Sequence, residues 1–446
     1  MSYSISRLVP LVAGTALGLS AMVTDVHAQA DGFLSAQESD PRVMGWMEGF
    51  PPPPELRITN PDSVFFSFPR MRWSVCHLRE FLPTEQVSRG LGAPTPLEYA
   101  LDDGIDAVTF RPLRGDVEEM TWEESLWANY TDGILILHRG RIVYERYFGC
   151  LEEAGQHAAM SMTKSFTGTL AEMLVAEGTL DDTALVQDII PELEVSAFGS
   201  ATVRQVMDMT TAFEFSEDYG DPNAAIWVYN AAASPFPRAA DYTGPNGYFE
   251  FLQTVGPDPD GLEHGVEFHY RTPNSDVLGW IISRVSGMEV TELLSERIWS
   301  RMGAEQDAYM TVDGVGTPFA GGGLSAGLRD LGRFGQIVLN GGEWQGEQLI
   351  PAAAIDSIRG GGSLEAFAAA GYADLAGGSY RGQWWIFNNA HGAFAARGVH
   401  GQTIYIDPTA EMVIVRFASY PIAFNSRIDP TSLPAYQAVA EYLMAQ

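Results

Sequence analysis

One lysine, Lys164, stands in the 446 residues, against 57 acidic side chains. Every other basic side chain apart from histidine is arginine, and a guanidinium cannot serve as a proton acceptor. Burial or neighbouring charge can instead drive an ammonium toward neutrality. A chain that otherwise does without lysine keeps an amine at one place, which marks that place as chemistry. Positive charge is scarce throughout, with a formal net charge of -31 and a pI near 4.4. That balance excludes nucleic acid and anionic membrane as expected partners. Cysteine is limited to Cys76 and Cys150, which allows one disulfide in an oxidising compartment or two buried thiols. The eight histidines are scattered without the paired spacing of a zinc motif, so neither metal nor cofactor is expected. After the first residues no long apolar run occurs, so no stable membrane span is expected.

The exception at the N-terminus has the layout of an export signal. Arg7 is followed by a largely apolar run from Leu8 to Val23, then by Val26-His27-Ala28, a small-residue cleavage site. Residues 1–28 are therefore expected to be removed and the mature protein to be periplasmic or secreted. The loss leaves the net charge unchanged, because it takes away one arginine and one aspartate.

Lys164 follows Ser161 by three residues in Ser161-Met162-Thr163-Lys164. On a helix, positions i and i+3 share a face, so the hydroxyl and the amine can meet as nucleophile and base. Phe166, Leu170, Met173 and Leu174 recur at helical spacing, and Gly178 is a plausible stop. Ser161 then opens a buried helix, with its own N–H at the end where the dipole favours a developing oxyanion. Such a site needs a proton shuttle, and Tyr270 is the candidate: beside an amine it can lose or share its proton and act as a general base.

Along the chain, residues 29–131 form a proline- and aromatic-rich arm, with Trp46, Pro51 to Pro54, Phe65, Phe66, Phe68 and Trp73. A polyproline stretch fits neither a helix nor a sheet centre, so the arm is expected to drape over a domain at 132–446. Gly133-Ile134-Leu135-Ile136-Leu137-His138 and Arg141-Ile142-Val143-Tyr144-Glu145-Arg146 flank a glycine turn as a hairpin. A second hairpin joins Thr403–Ile406 and Met412–Val415 across Asp407-Pro408, and a final helix spans Leu433 to Leu443. A largely helical insertion fills about 180–341. The fold class is α+β: an antiparallel sheet built from distant halves and flanked by helices, with a largely helical second subdomain.

Three features in this order resemble the serine β-lactamase and penicillin-recognising superfamily, in its class C-like branch: Ser161-x-x-Lys164; Tyr270 running into Leu278-Gly279; and the late Arg397-Gly398-Val399-His400-Gly401-Gln402. Gly321-Gly322-Gly323-Leu324 looks like the glycine-rich turn that precedes the last strands. Within the superfamily the chain is most similar to 6-aminohexanoate-dimer hydrolases and related carboxylesterases. Ser216-Glu217-Asp218-Tyr219 resembles their substrate-contacting loop, and Phe268-x-Tyr270 follows their pattern. The resemblance implies a β-lactamase-like fold, an acylated Ser161, Lys164 as its activator and Tyr270 as proton relay. It further implies an oxyanion hole from the N–H groups of Ser161 and Val399, with Gly398 allowing close approach, and Tyr219 as a substrate contact.

Two departures shape the expected substrate. Thr272 replaces the asparagine of the Tyr-x-Asn element, and Ala396-Arg397-Gly398 replaces Lys-Thr-Gly. Arg397 then stands one residue off, either as a substitute anchor or as a solvent-facing side chain. Glu214, Glu217, Asp218 and Asp221 are read either as an amine-holding set or as a solvated rim. The expected function is an exported serine hydrolase acting on small amide or ester substrates. Alternatives are a carboxylesterase without amidase activity, a D-peptidase or β-lactamase, and, outside catalysis, a penicillin-recognising binding protein. The sequence does not reveal the oligomeric state.

Overall fold

The computed structural model describes residues 32–59, 64–238 and 240–446. The segment read as an export signal lies outside these residues. The main sheet has eight strands, labelled in chain order: β1 (Glu98–Tyr99), β2 (Thr131–His138), β3 (Arg141–Tyr147), β4 (Ser379–Arg381), β5 (Trp384–Ile386), β6 (Phe394–Gly398), β7 (Gln402–Asp407) and β8 (Met412–Ala418). Across the sheet they run β4-β5-β6-β7-β8-β2-β3-β1. All neighbours are antiparallel except β1, which lies parallel to β3. The two expected hairpins thus meet at the β8–β2 pair, where Val415 faces Leu135 and Val413 faces Leu137. Arg139 and Gly140 both take positive φ, 50° and 75°, the backbone of a tight hairpin turn.

Alternation along the strands sends side chains to two cores. Leu135, Leu137, Val413 and Val415 face one side, where helices α1 (Met162–Ala176), α2 (Pro273–Ser286) and α3 (Leu328–Leu339) belong to the same apolar cluster. Phe166 of α1 stacks on Phe334 of α3 with ring centroids 3.9 Å apart. Ile134, Ile136 and Ile414 face the other side, covered by Trp122–Ala128 and by α4 (Asp429–Met444) through Tyr436, Val439 and Leu443.

Helix α1 is buried on nearly every side, beyond the apolar stripe that its spacing predicts. Its polar side chains must then find partners inside the protein. Ser165 Oγ donates to the Gln383 carbonyl (2.7 Å), Thr167 Oγ1 to that of Ala320 (3.0 Å), and Glu172 accepts from Arg204 (2.5 Å). Gly168 is the point of closest approach: a Cβ there would lie 2.0 Å from the Gly382 carbonyl oxygen in the β4–β5 turn.

The stretch 180–341 carries α2, α3 and several shorter helices. It also holds the strands Ala308–Thr311 and Leu324–Ala326, which join Thr84–Val87 and His157–Ala158 in a second, four-stranded sheet. The arm is thereby woven in, since Thr84–Val87 pairs with Ala308–Thr311. Two further ties hold it. Cys76 and Cys150 are disulfide-bonded, so the thiol alternative does not apply. Arg72, fully buried, bonds Asp132 (3.0 Å), Ser39 (2.9 Å) and Ser419 (3.1 Å). Among the described residues no helix is long and apolar enough to cross a membrane.

Candidate active site

Ser161 sits directly before α1, and the residue before it, Met160, holds a positive φ of 48°. A non-glycine side chain in that region marks a constrained turn. It sets Ser161 at the helix N-terminus, where one helical turn brings Lys164 beneath it. The Lys164 ammonium donates to Ser161 Oγ (3.1 Å), Thr272 Oγ1 (3.0 Å) and the Gly321 carbonyl (2.5 Å). Lys164 is 1% exposed, so all three of its N–H groups act inside the protein. Burial pulls its pKa down from the usual lysine value to about 8, while the negative charges of Glu217 and Asp276 oppose that fall.

Asp276 reaches this group from the first turn of α2. It accepts from the Tyr229 hydroxyl and from the Gly321 N–H (3.3 Å), and burial raises its pKa. Glu217 reaches it from the loop before Ala225–Ala233. Its carboxylate accepts from the Thr272 N–H (2.5 Å), Thr272 Oγ1 (2.6 Å) and the Tyr219 hydroxyl (2.9 Å). One carboxylate thus ties the Tyr219 loop to the start of α2. Thr272 passes the tie on to Lys164. A carboxylate at a helix N-terminus is favoured by the dipole as well as by these donors.

Tyr270 stands across from Lys164, whose Nζ lies 5.2 Å from the ring centroid. Its ring stacks on Trp385 at 5.3 Å and it is hydrogen-bonded to Ser161. Burial first, and then the charge of Glu217, push the phenol well above its ordinary pKa. The sequence leaves Tyr270 able to lose or to share its proton; here desolvation and the Glu217 charge outweigh the Ser161 hydrogen bond and the Arg397 cation, and they favour the protonated phenol.

The backbone of β6 closes the other side. At Gly398 a Cβ would fall 2.8 Å from the Ala159 carbonyl oxygen and 2.9 Å from the Ser161 nitrogen, so only glycine lets the strand and the Ser161 turn come this close. Val399 follows directly and lines the cavity beside Ser161, with Tyr219, Tyr270 and Arg397. That cavity encloses about 530 Å³. Arg397 does not face solvent: it is 6% exposed, paired with Asp429 and placed over the Trp385 ring at 5.4 Å. Among the described residues the one group with metal-ligating geometry is Cys76, Cys150 and His157, and its two sulfurs are joined to each other.

The structure brings Tyr219, Tyr270, Gly398 and Val399 to the wall of one cavity, and Ser161 and Lys164 adjoin that wall, Ser161 through its hydrogen bond to Tyr270 and Lys164 through its contact with Ser161. It adds three residues whose place the sequence does not announce. Glu217 looked like one of four acidic loop residues, of which it alone lines the cavity; Thr272 counted as a departure, yet its hydroxyl bridges Lys164 and Glu217; Asp276 stands in Asn274-x-Asp276-Val277-Leu278, which follows the 6-aminohexanoate-dimer hydrolase pattern, but with no role attached to it. Position two residues before Tyr219 and two after Tyr270 is the trace that Glu217 and Thr272 leave in the sequence.

The Beta-lactamase family profile matches residues 122–428. A 6-aminohexanoate-dimer hydrolase of Paenarthrobacter ureafaciens is 35% identical over 354 residues, covering 79% of this chain and 86% of the relative. A Bacillus anthracis structure provisionally named a 6-aminohexanoate-dimer hydrolase superposes with a TM-score of 0.77 at 33% identity, covering 85% of this chain and 96% of that one. A penicillin-binding protein homologue from Caulobacter crescentus shares the fold, with a TM-score of 0.54 at 16% identity over 78% of this chain and all of the other. The α+β, β-lactamase-like architecture expected from the sequence is the one observed. With a profile match across most of its length and a curated relative at this identity, the chain belongs to the Beta-lactamase family and is a serine hydrolase of amide or ester bonds.

Proposed function

We propose that Ser161 is the acylated nucleophile of this hydrolase, and that small, predominantly ester, substrates are cleaved through an acyl-enzyme. The observation that carries the reading is the 3.1 Å contact between Ser161 Oγ and the buried Lys164 amine. In its neutral form Lys164 takes the hydroxyl proton as Ser161 attacks the carbonyl carbon. The oxyanion lies between the N–H groups of Ser161 and Val399, a placement supported by the close approach at Gly398. Tyr270, a neutral O–H on the same cavity, donates to the departing alkoxide or amine and is reprotonated from Lys164. Water then attacks the acyl carbon, its proton returns to Ser161, and the acid is released.

Tyr219 contacts the substrate from the loop that Glu217 holds, which supports amide cleavage as a second activity because a leaving nitrogen needs such help. Export is part of the proposal, supported by the disulfide and by the signal-like first 28 residues.

Steady-state hydrolysis of p-nitrophenyl butyrate and of 6-aminohexanoate dimer, with Ser161→Ala as blank, tests the assignment. Serine-dependent nitrophenol release with about 10³-fold or greater loss in Lys164→Ala is expected. Undiminished turnover by either variant refutes the mechanism. A stable acyl adduct without turnover would instead make the protein a penicillin-recognising binder. Cell fractionation with N-terminal sequencing checks export, with Gln29 the expected first residue.

A further inference from the structure

Five charged side chains line the cavity above Ser161: Arg114, Glu217, Asp374, Arg397 and Asp429. Each already has its partners within the protein. Arg114 and Asp374 form a two-pronged pair, both contacts 2.8 Å, and the same guanidinium donates to the Ser426 carbonyl (2.5 Å). Arg397 and Asp429 pair below them with side chains 7% and 6% exposed. Glu217 is occupied by Thr272 and Tyr219. What remains of the wall is mostly aromatic, aliphatic or glycine, with Tyr372, Trp385 and Phe424 its large side chains beside Tyr219 and Tyr270. The buried side-chain polar atom of the described wall that lacks a partner is uncharged: Oδ1 of Asn425.

A substrate carboxylate entering this space finds no unpaired cation: Arg397 is buried against Asp429, and Arg114, although its side chain is 53% exposed, is held on two prongs by Asp374. It must prise Asp429 or Asp374 from its arginine and then lie beside the displaced carboxylate. A substrate ammonium finds each of the three carboxylates already occupied, Asp374 and Asp429 by guanidiniums and Glu217 by Thr272 and Tyr219. Either charge loses its hydration without gaining a counter-charge. An uncharged chain or ring loses nothing of the kind and gains apolar contact with the aromatic wall.

We infer that this cavity selects substrates whose part bound there is uncharged, and that the Arg397–Asp429 and Arg114–Asp374 pairs enforce the selection. The inference rests on the assignment of Ser161 as nucleophile. It runs against the zwitterionic ends of a free aminoalkanoyl compound, so a dimer capped at both ends is a better substrate than the free one.

The test uses three p-nitrophenyl esters of one chain length that differ in the terminal group: hexanoate, the adipate half-ester and 6-aminohexanoate. Hexanoate is expected to exceed both others in kcat/KM by about tenfold or more. Asp429→Asn, which leaves Arg397 a free cation, is expected to raise the adipate-to-hexanoate ratio by about tenfold. Asp374→Asn does the same for Arg114 and serves where the first variant does not fold. Equal or better cleavage of a charged ester by the unmodified protein overturns the inference while leaving the nucleophile assignment intact. An unchanged ratio in both variants overturns the role of the ion pairs. Absence of any Ser161-dependent release from the three esters removes the assignment and the inference together.

Discussion

Lys164 is subject to two opposed influences: its burial, which expels the proton, and the carboxylates of Glu217 and Asp276, which retain it. The proposed mechanism needs the amine form, so kcat/KM rises as pH climbs toward about 8, and the limb belongs to Lys164 together with Asp276, whose carboxyl burial raises to about 7 beside it. Tyr270 does not contribute a second base in that range, since its pKa lies well above the ordinary phenol value. Glu217→Gln removes one retaining charge and keeps the shape. Lysine then releases its proton more readily, so the acid limb moves to lower pH. The plateau also falls, because Thr272 and Tyr219 lose an anionic acceptor. A purely structural role for Glu217 would lower the plateau and leave the limb in place, and a pH series of kcat/KM distinguishes the two. Lys164→Arg is expected to lose activity as completely as Lys164→Ala, since the guanidinium keeps its charge but cannot take a proton.

At the scale of elements, the site is a convergence of α1, the start of α2 and the end of β6, each fixed by a contact that admits no side chain or no substitute. Gly398→Ala presses a methyl onto the Ser161 turn and is expected to cost about 10²-fold in kcat. Gly168→Ala presses one onto the β4–β5 turn and is expected to lower stability by about 1–3 kcal/mol, read as a fall in Tm. Both hairpins, the helix after Ser161 and the closing helix were legible in the sequence, because alternation and helical spacing are local properties of a chain. The short strands Ala308–Thr311 and Leu324–Ala326 were not: they pair with the arm and with His157–Ala158, partners that no local pattern announces. Glu217 escaped for the same reason. Its meaning lies in Thr272, 55 residues away, and an acidic loop side chain looks alike whether it meets water or a helix end. Arg397 was misjudged in one of its two readings, because only the docked α4 supplies Asp429.

For the molecule as a whole, the arm is bound to the catalytic core by covalent and ionic ties at one place. The disulfide spans 74 residues of sequence, and replacing both cysteines by serine is expected to cost about 2–4 kcal/mol in chemical denaturation. Arg72→Ala leaves Asp132 buried without its cation, at a cost of about 3–5 kcal/mol. A net charge of -31 adds self-repulsion over the whole surface, so moderate salt should raise Tm in the unmodified protein. The lone lysine has a different use at this scale. Protein grown on isotope-labelled lysine carries a single labelled side chain, so an NMR spectrum of 446 residues reduces to one ε-amine signal, in contact with Ser161. Its chemical shift would report proton loss at Ser161's partner directly, free of assignment, and would follow acylation of the enzyme in real time.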